Sequence, residues 1–201
     1  MSRFESKIVI MTGGGSGIGA DAARRFAAEG ASVAVADLNL EGARKVVEEI
    51  RAAGGRAVAF GTDVTSEEQT VELVEGTVEA FGGLDIMVNN AGIGEQPTPI
   101  DERPIEDWQK VIDVNLTGAF LGTKHAARAF KALERKGVIV NIASILGLVG
   151  FKGAPAYSAA KHGLLGFTKS VALELAEFGI RCVGVSPAFI RTPLIEGMEE
   201  A

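Results

Sequence analysis

Residues Lys7 to Glu29, KIVIMTGGGSGIGADAARRFAAE, constrain this chain more than any other stretch. Ile8 to Met11 is a short, β-branched run bounded by glycine, the pattern of a strand buried on both faces. Ile18, Ala22, Ala23 and Phe26 then recur at intervals of three and four, which puts them on one face of a helix. Between the two elements, Gly13, Gly17 and Gly19 permit dihedrals closed to other residues and let backbone amides approach a ligand. The N-terminus of the following helix adds unpaired N–H groups and a positive dipole end, which suit a pyrophosphate. A glycine turn also serves as a plain strand-to-helix connection, so its context decides.

That context begins about twenty residues beyond Gly17, the spacing of a ribose-binding acid. There a second apolar run, Ser32 to Ala36, ends on Asp37, whose carboxylate can accept hydrogen bonds from an adenosine ribose. The structural alternative is that Asp37 helps to cap the next helix. With 201 residues and 47% hydrophobic content, the chain has the size of one well-filled domain, residues 1–201, rather than two. Its net charge of -6 argues against a nucleic-acid partner, which would select a basic face. Cys182 is the only cysteine, so no intrachain disulfide forms, and its apolar neighbours point to a buried strand. His125 and His162 fall in helical stretches without a cluster of ligand-type residues, and no metal is expected. The N-terminal MSRFESK is neither a signal peptide nor a membrane span, so the expectation is a cytoplasmic protein with no membrane partner.

Asn39 caps a helix over Leu40 to Ala53, and a third strand follows at Arg56 to Gly61. Ser66 and Gln69 have capping-box spacing ahead of a helix that ends at Gly82 and Gly83. Leu84 to Val88 reads as the fourth strand and runs into Asn89, Asn90, Ala91 and Gly92 at the sheet edge where ligands bind. Gly94 to Arg103, with two prolines, reads as a surface loop. Helical spacing resumes near Ile105 and continues through Asn115 to about Lys136. Val138 to Ile142 is the fifth strand, a loop carrying Ser144 comes next, and then a helix from about Tyr157 to Phe178. Arg181 to Ser186 is the sixth strand, and an acidic segment, Glu196 to Ala201, closes the chain. Six strands alternating with helices predict an α/β fold with a doubly wound parallel sheet.

Tyr157 and Lys161 stand four apart on one helix and therefore share a face. A nearby ammonium favours the phenolate form of tyrosine, so the pair suits proton exchange with an alcohol. Such a pair also occurs as surface decoration; its position one loop after Ser144, at the carboxyl end of strand five, favours the chemical reading. Ser144 can donate to a substrate oxygen while Tyr157 exchanges its proton. Asn115 lies in an apolar helical stretch, where its amide either holds a water linking Lys161 to solvent or is satisfied by backbone.

TGGGSGIG at 12–19, NNAG at 89–92, Asn115, Ser144, YSAAK at 157–161 and PAFIRT at 187–192 together resemble the short-chain dehydrogenase/reductase family. The resemblance covers essentially the whole chain, with the motifs in the family's order. It implies that Tyr157 is the acid/base, that Ser144 orients the carbonyl or hydroxyl, and that Asn115 completes a proton relay. It implies that Lys161 binds the nicotinamide ribose and lowers the tyrosine pKa. Cofactor contacts implied are Gly13, Ser16, Gly17, Ile18 and Gly19 in the turn, Asp37 and Leu38 at the ribose, and Asp63 and Val64 at the adenine. Asn89, Ala91 and Gly92 follow on the nucleotide side, with Pro187, Ile190 and Thr192 at the carboxamide. NAD is expected over its 2′-phosphorylated form, because Asp37 repels a phosphate and Ser16 and Leu38 stand where phosphate-binding relatives carry a basic residue.

Two departures are visible. Ala188 replaces a common glycine, and the family usually continues through another helix and a seventh strand beyond the point where this sequence stops. The expected activity is hydride transfer between NAD and a secondary alcohol or ketone. Leu146, Leu148, Val149, Phe151, Phe189 and Leu194 suggest an apolar pocket for a hydrophobic or cyclic substrate. The alternatives are a catalytically silent or impaired NAD-binding module, favoured by the short C-terminus, and a methyltransferase, which leaves Tyr157 and Lys161 unexplained. Apolar residues around most of the last long helix suggest a homodimer through the two long helices, with a tetramer disfavoured by the absent strand.

Overall fold

The computed structural model describes residues 2–193. Six strands form one parallel sheet in the order β3-β2-β1-β4-β5-β6. They are β1 (Ile8–Thr12), β2 (Ser32–Asp37), β3 (Arg56–Gly61), β4 (Ile86–Asn89), β5 (Val138–Ile142) and β6 (Arg181–Val185). The helices are α1 (Gly17–Ala28), α2 (Leu40–Ala52), α3 (Glu67–Phe81), α4 (Ile105–Ile112), α5 (Gly118–Ala132) and α6 (Pro155–Leu175). The strand order reverses between β1 and β4, which opens a crevice at their carboxyl ends. This is the doubly wound α/β sheet that the alternation of patterns predicts.

Each central strand serves two cores because its side chains alternate. Ile8 and Ile10 of β1 pack with Met87, Phe130 and Ile139 on one face. Val9 and Met11 pack with Val33, Val35, Val46 and Ile50, under α1 and α2, on the other. Burying four aliphatic side chains on one five-residue strand contributes roughly 1.5–3 kcal/mol each. The edge strand β6 differs, with Val183 and Val185 exposed.

Several boundaries depart from expectation. The fourth strand starts at Ile86, because Asp85 is occupied differently: its carboxylate accepts the Ile8 N–H at 3.0 Å and faces the Arg135 guanidinium at 3.1 Å. The single long helix expected over 105–136 is interrupted by a π-helical turn at Asp113–Thr117 and ends at Ala132. The next helix begins two residues early, at Pro155, whose missing N–H and fixed φ suit a first helical position. It closes at Leu175 in a tighter turn, Ala176–Phe178, stopped by Gly179 at φ 66°. The capping box of α3 forms in part: Ser66 Oγ accepts the Gln69 N–H, while Gln69 Oε1 takes the Asp63 N–H at 2.8 Å instead of returning to Ser66. The acidic segment Glu196 to Ala201 lies outside the described residues.

Candidate active site

The carboxyl ends of β1, β2, β4 and β5, with the loop 187–193, surround one cavity of about 700 Å³. Its first wall is the glycine turn. Gly13 has φ +61° and Gly17 φ +51°, and a Cβ on Gly13 would stand 2.8 Å from Ala91 Cα. Asp37 fixes this turn from the end of β2: Oδ2 accepts the Gly15 N–H and Oδ1 the Asn39 N–H, both at 2.8 Å. The carboxylate thus lines the cavity and also orders the start of α2, the structural alternative read from the sequence.

Ser16, Ile18, Leu38, Asp63 and Val64 line the same end, Ala91 and Gly92 the middle, and Pro187, Ile190 and Thr192 the opposite loop. Two expected contacts do not reach the cavity. Asn89 has the same strand parity as Met87 and points under α5, where its Nδ2 donates to Ala119 O, Thr123 Oγ1 and Asn141 Oδ1. It joins β4 to β5 instead of meeting a ligand. Gly19 is a packing residue: a Cβ there would lie 2.1 Å from Gly13 O, so only glycine lets α1 start against the turn.

Asn90, named in the turn at the sheet edge but not among the expected cofactor contacts, takes the cavity position that Asn89 was assigned. Its Nδ2 donates to Thr12 O at 2.9 Å and Gly13 O at 3.1 Å, closing the glycine turn onto β4. The register β4–β5 could have found it, since pairing Asn89 with Asn141 turns the neighbouring residue outward. Val114 and Lys110 also line the cavity, from the π-helical turn and α4.

The second wall carries the chemical groups. Ser144 follows β5, and its Oγ accepts the Leu146 N–H at 3.1 Å. Tyr157 stands in the first turn of α6, with Lys161 one turn on, its Nζ 5.5 Å from the phenol ring centroid. Burial pushes the Tyr157 phenol above its ordinary value, with the neighbouring Ser144 hydroxyl pulling the other way. The lowering expected from Lys161 is therefore not seen. The ammonium is itself buried, donates to Ile142 O at 2.9 Å, and is pushed down to about 8 by desolvation. Asn115 lies behind this wall, in the π-helical turn. Its Nδ2 donates to Ile93 O at 2.9 Å and Val111 O at 3.0 Å, while Oδ1 is buried without a partner. A Cβ on Gly92 would come 2.6 Å from Asn115 Oδ1 and 3.6 Å from Lys161 Nζ, so glycine keeps the space between them open.

Leu146, Phe151 and Phe189 line the cavity, and the two phenyl rings lie 6.0 Å apart. Leu148 and Val149 are exposed and outside it, and Leu194 lies outside the described residues. Among the described residues, no helix is long and apolar enough to cross a membrane.

A glycine cradle, an anchored acid at the end of β2 and a Ser–Tyr–Lys group thus face one crevice. The family model described as "short chain dehydrogenase" matches residues 7–201. The chain belongs to this family. Cyclohexanol dehydrogenase of Acinetobacter sp. (strain SE19) is 46% identical over 200 residues, spanning 100% of this chain and 79% of that protein. Cis-4-hydroxycyclohexanecarboxylate dehydrogenase of Sinomonas cyclohexanicum is 43% identical over 195 residues, 97% of this chain and 78% of the relative. A solved short-chain type dehydrogenase/reductase from Mycobacterium marinum superposes with a TM-score of 0.95 at 35% identity, covering 98% of this chain and 78% of that one. As a short-chain dehydrogenase, the chain is an oxidoreductase that takes a nicotinamide cofactor, NAD or NADP. The open glycine backbone and the acid beside it fit the phosphate and ribose portions of such a cofactor.

Proposed function

We propose that this short-chain dehydrogenase interconverts a cyclic secondary alcohol and its ketone with NAD. The observation that carries the reading is the placement of Ser144, Tyr157 and Lys161 on one wall of a cavity whose other end is the glycine turn and Asp37. Tyr157 takes the hydroxyl proton of the alcohol during oxidation and returns it during reduction. Ser144 orients the same oxygen by hydrogen bonding. Lys161 holds the ribose beside the phenol, and Asn115 Oδ1, with the space kept by Gly92, accepts from a proton-relay partner. Gly13, Ser16, Gly17 and Ile18 cradle the pyrophosphate, Asp63 and Val64 bound the adenine, and Thr192 holds the carboxamide. When bound, the nicotinamide supplies the hydride acceptor or donor.

Asp37 supports NAD, since an anchored carboxylate would meet a 2′-phosphate with like charge. Leu146, Phe151 and Phe189, together with relatives named for ring alcohols, support a cyclic, apolar substrate. The Ser144, Tyr157 and Lys161 group speaks against a catalytically silent module. A cytoplasmic homodimer fits best, with Phe120 of α5 and Leu173 of α6 offering exposed apolar surface for helix pairing.

The test is oxidation of cyclohexanol with each cofactor. The expected result is turnover with kcat/KM at least about tenfold higher for NAD than for NADP. Absence of turnover on a panel of secondary alcohols with either cofactor refutes the activity; a preference for NADP refutes the role of Asp37.

A further inference from the structure

The loop 94–103 has the composition of a solvated connection, yet it contains the most deeply buried ion pair among the described residues. Glu95 Oε2 lies 2.7 Å from Arg103 Nη1, with side-chain exposures of 1% and 3%. The approach is a charge contact more than an aligned hydrogen bond, since Oε2 and Arg103 Nε have no hydrogen-bond partner. Arg103 Nη2 instead reaches three carbonyls, Gln96 O at 3.3 Å, Thr98 O at 3.2 Å and Gly153 O at 3.3 Å. The guanidinium thereby fastens the loop to the turn that precedes α6.

The other carboxylate oxygen reaches the catalytic helix. Helix α6 starts with Ala154 at the cap position, and alanine has no side-chain acceptor for the free N–H groups of the first turn. Pro155 has no N–H to satisfy. The Tyr157 N–H donates to Glu95 Oε1 at 2.6 Å, so a residue 62 positions upstream performs the cap that the helix lacks. A buried ion pair gives little net stability, because desolvating two charges offsets their attraction. What it does here is hold one oxygen at one place, on the backbone of the residue whose phenol faces Ser144.

The geometry points to Glu95 as a positioning residue for Tyr157: its carboxylate, held by Arg103, caps α6 and fixes the phenol against Ser144. The inference rests on the proposed dehydrogenase activity and adds to it a residue outside the cavity lining. It bears on the Tyr157 end of the site, because the polar contacts of Glu95 and Arg103 lie within the loop, at Gly153 and at the Tyr157 N–H.

Two double variants isolate the cap without leaving a buried charge unpaired. Glu95→Gln with Arg103→Met removes both charges and keeps a carbonyl acceptor for the Tyr157 N–H; Glu95→Met with Arg103→Met removes the acceptor as well. Cyclohexanol oxidation and NAD binding are measured for both, with amide exchange at Tyr157 as a direct reading of the cap. The expected result is a kcat about tenfold to a hundredfold lower in the Met/Met variant than in the Gln/Met variant. NAD affinity should agree within about twofold, and the Tyr157 amide should exchange at least about tenfold faster in Met/Met. Equal kcat in the two variants, or loss of kcat and NAD affinity together, overturns the inference. If the wild type oxidises no alcohol, the dehydrogenase reading fails, while equal Tyr157 exchange in the two variants separately overturns the cap.

Discussion

The two ends of the crevice are built by different means. At the glycine turn the side chains are absent: Gly13 and Gly17 sit at positive φ, and the neighbouring polar groups, Asp37 and Asn90, are engaged in holding backbone. At the Tyr157 end polar side chains form the wall, and burial works against them. The phenol is pushed up, the Lys161 ammonium is pushed down to about 8, and Asn115 Oδ1 has no partner. On the proposed function, a binding end made of backbone is satisfied by its own fold, whereas a chemical end made of buried polar side chains carries an electrostatic cost that the rest of the domain offsets. The comparison separates binding from chemistry, and four substitutions test whether that separation holds.

The largest effect is expected at Tyr157. Tyr157→Phe removes only the oxygen proposed to exchange the proton, so kcat should fall about a thousandfold or more while NAD affinity changes by less than about twofold. Steady-state rates and a cofactor titration read both quantities, and a wild-type rate would remove this residue from the mechanism.

Gly19→Ala is the mirror experiment. The added methyl would lie 2.1 Å from Gly13 O, so α1 must move off the turn. NAD affinity should drop at least about tenfold and unfolding stability by about 1–3 kcal/mol. An unchanged cofactor titration would show that the turn is softer than its close packing implies.

Lys161→Met tests the electrostatic cost directly. The folded-state pKa of about 8 lies below the ordinary 10.5, so the folded protein releases this proton first as pH rises. Stability of the wild type should therefore increase between about pH 8 and 10.5, and below pH 8 the full penalty is present. At pH 7 the inactive Met variant should be more stable by about 2 kcal/mol, after losing the bond to Ile142 O, with the advantage shrinking above pH 8. Thermal melts at pH 7 and pH 10 decide it, and a less stable Met variant would mean that the ammonium is not penalised.

The smallest effect belongs to Asp37→Asn. The amide can keep one of the two backbone contacts yet no longer repels a phosphate, so the preference for NAD over NADP should shrink by about tenfold. An unchanged ratio would show that specificity is set elsewhere on the cavity wall.

Most of the fold is legible in the sequence because its signals are local: β1 reads as apolar and β-branched, and Gly82 closes α3 in the left-handed region. The glycine turn is legible for the same reason. Asn89 is not, because which of two adjacent asparagines faces the crevice depends on strand parity at the end of β4, and the element boundary is where pattern reading is weakest. The 94–103 stretch reads correctly as a surface loop, but the buried pair inside it does not show in the sequence. Glu95 and Arg103 look solvated until the chain's path brings them together, and two charges eight residues apart in a proline-containing loop carry no mark of burial. The elevated phenol of Tyr157 is likewise invisible in the sequence, since desolvation depends on everything packed around it.

The π-helical turn at Asp113–Thr117 has a consequence for how this chain tolerates insertions and deletions. Such a turn accommodates a surplus residue within a helix. Losing one codon between Val111 and Gly118 would let the element relax into continuous α-helix. The flanking turns would keep their faces, because no surplus residue is left to absorb, while the widened turn that carries Asn115 would close. Gly118 and Ala119 would stay against Val64 and Leu164, but Asn115 would lose the widened turn from which its Nδ2 reaches Ile93 O and Val111 O. A frame-preserving deletion there would thus spare the packing of α4 and α5 and strike the placement of Asn115 alone.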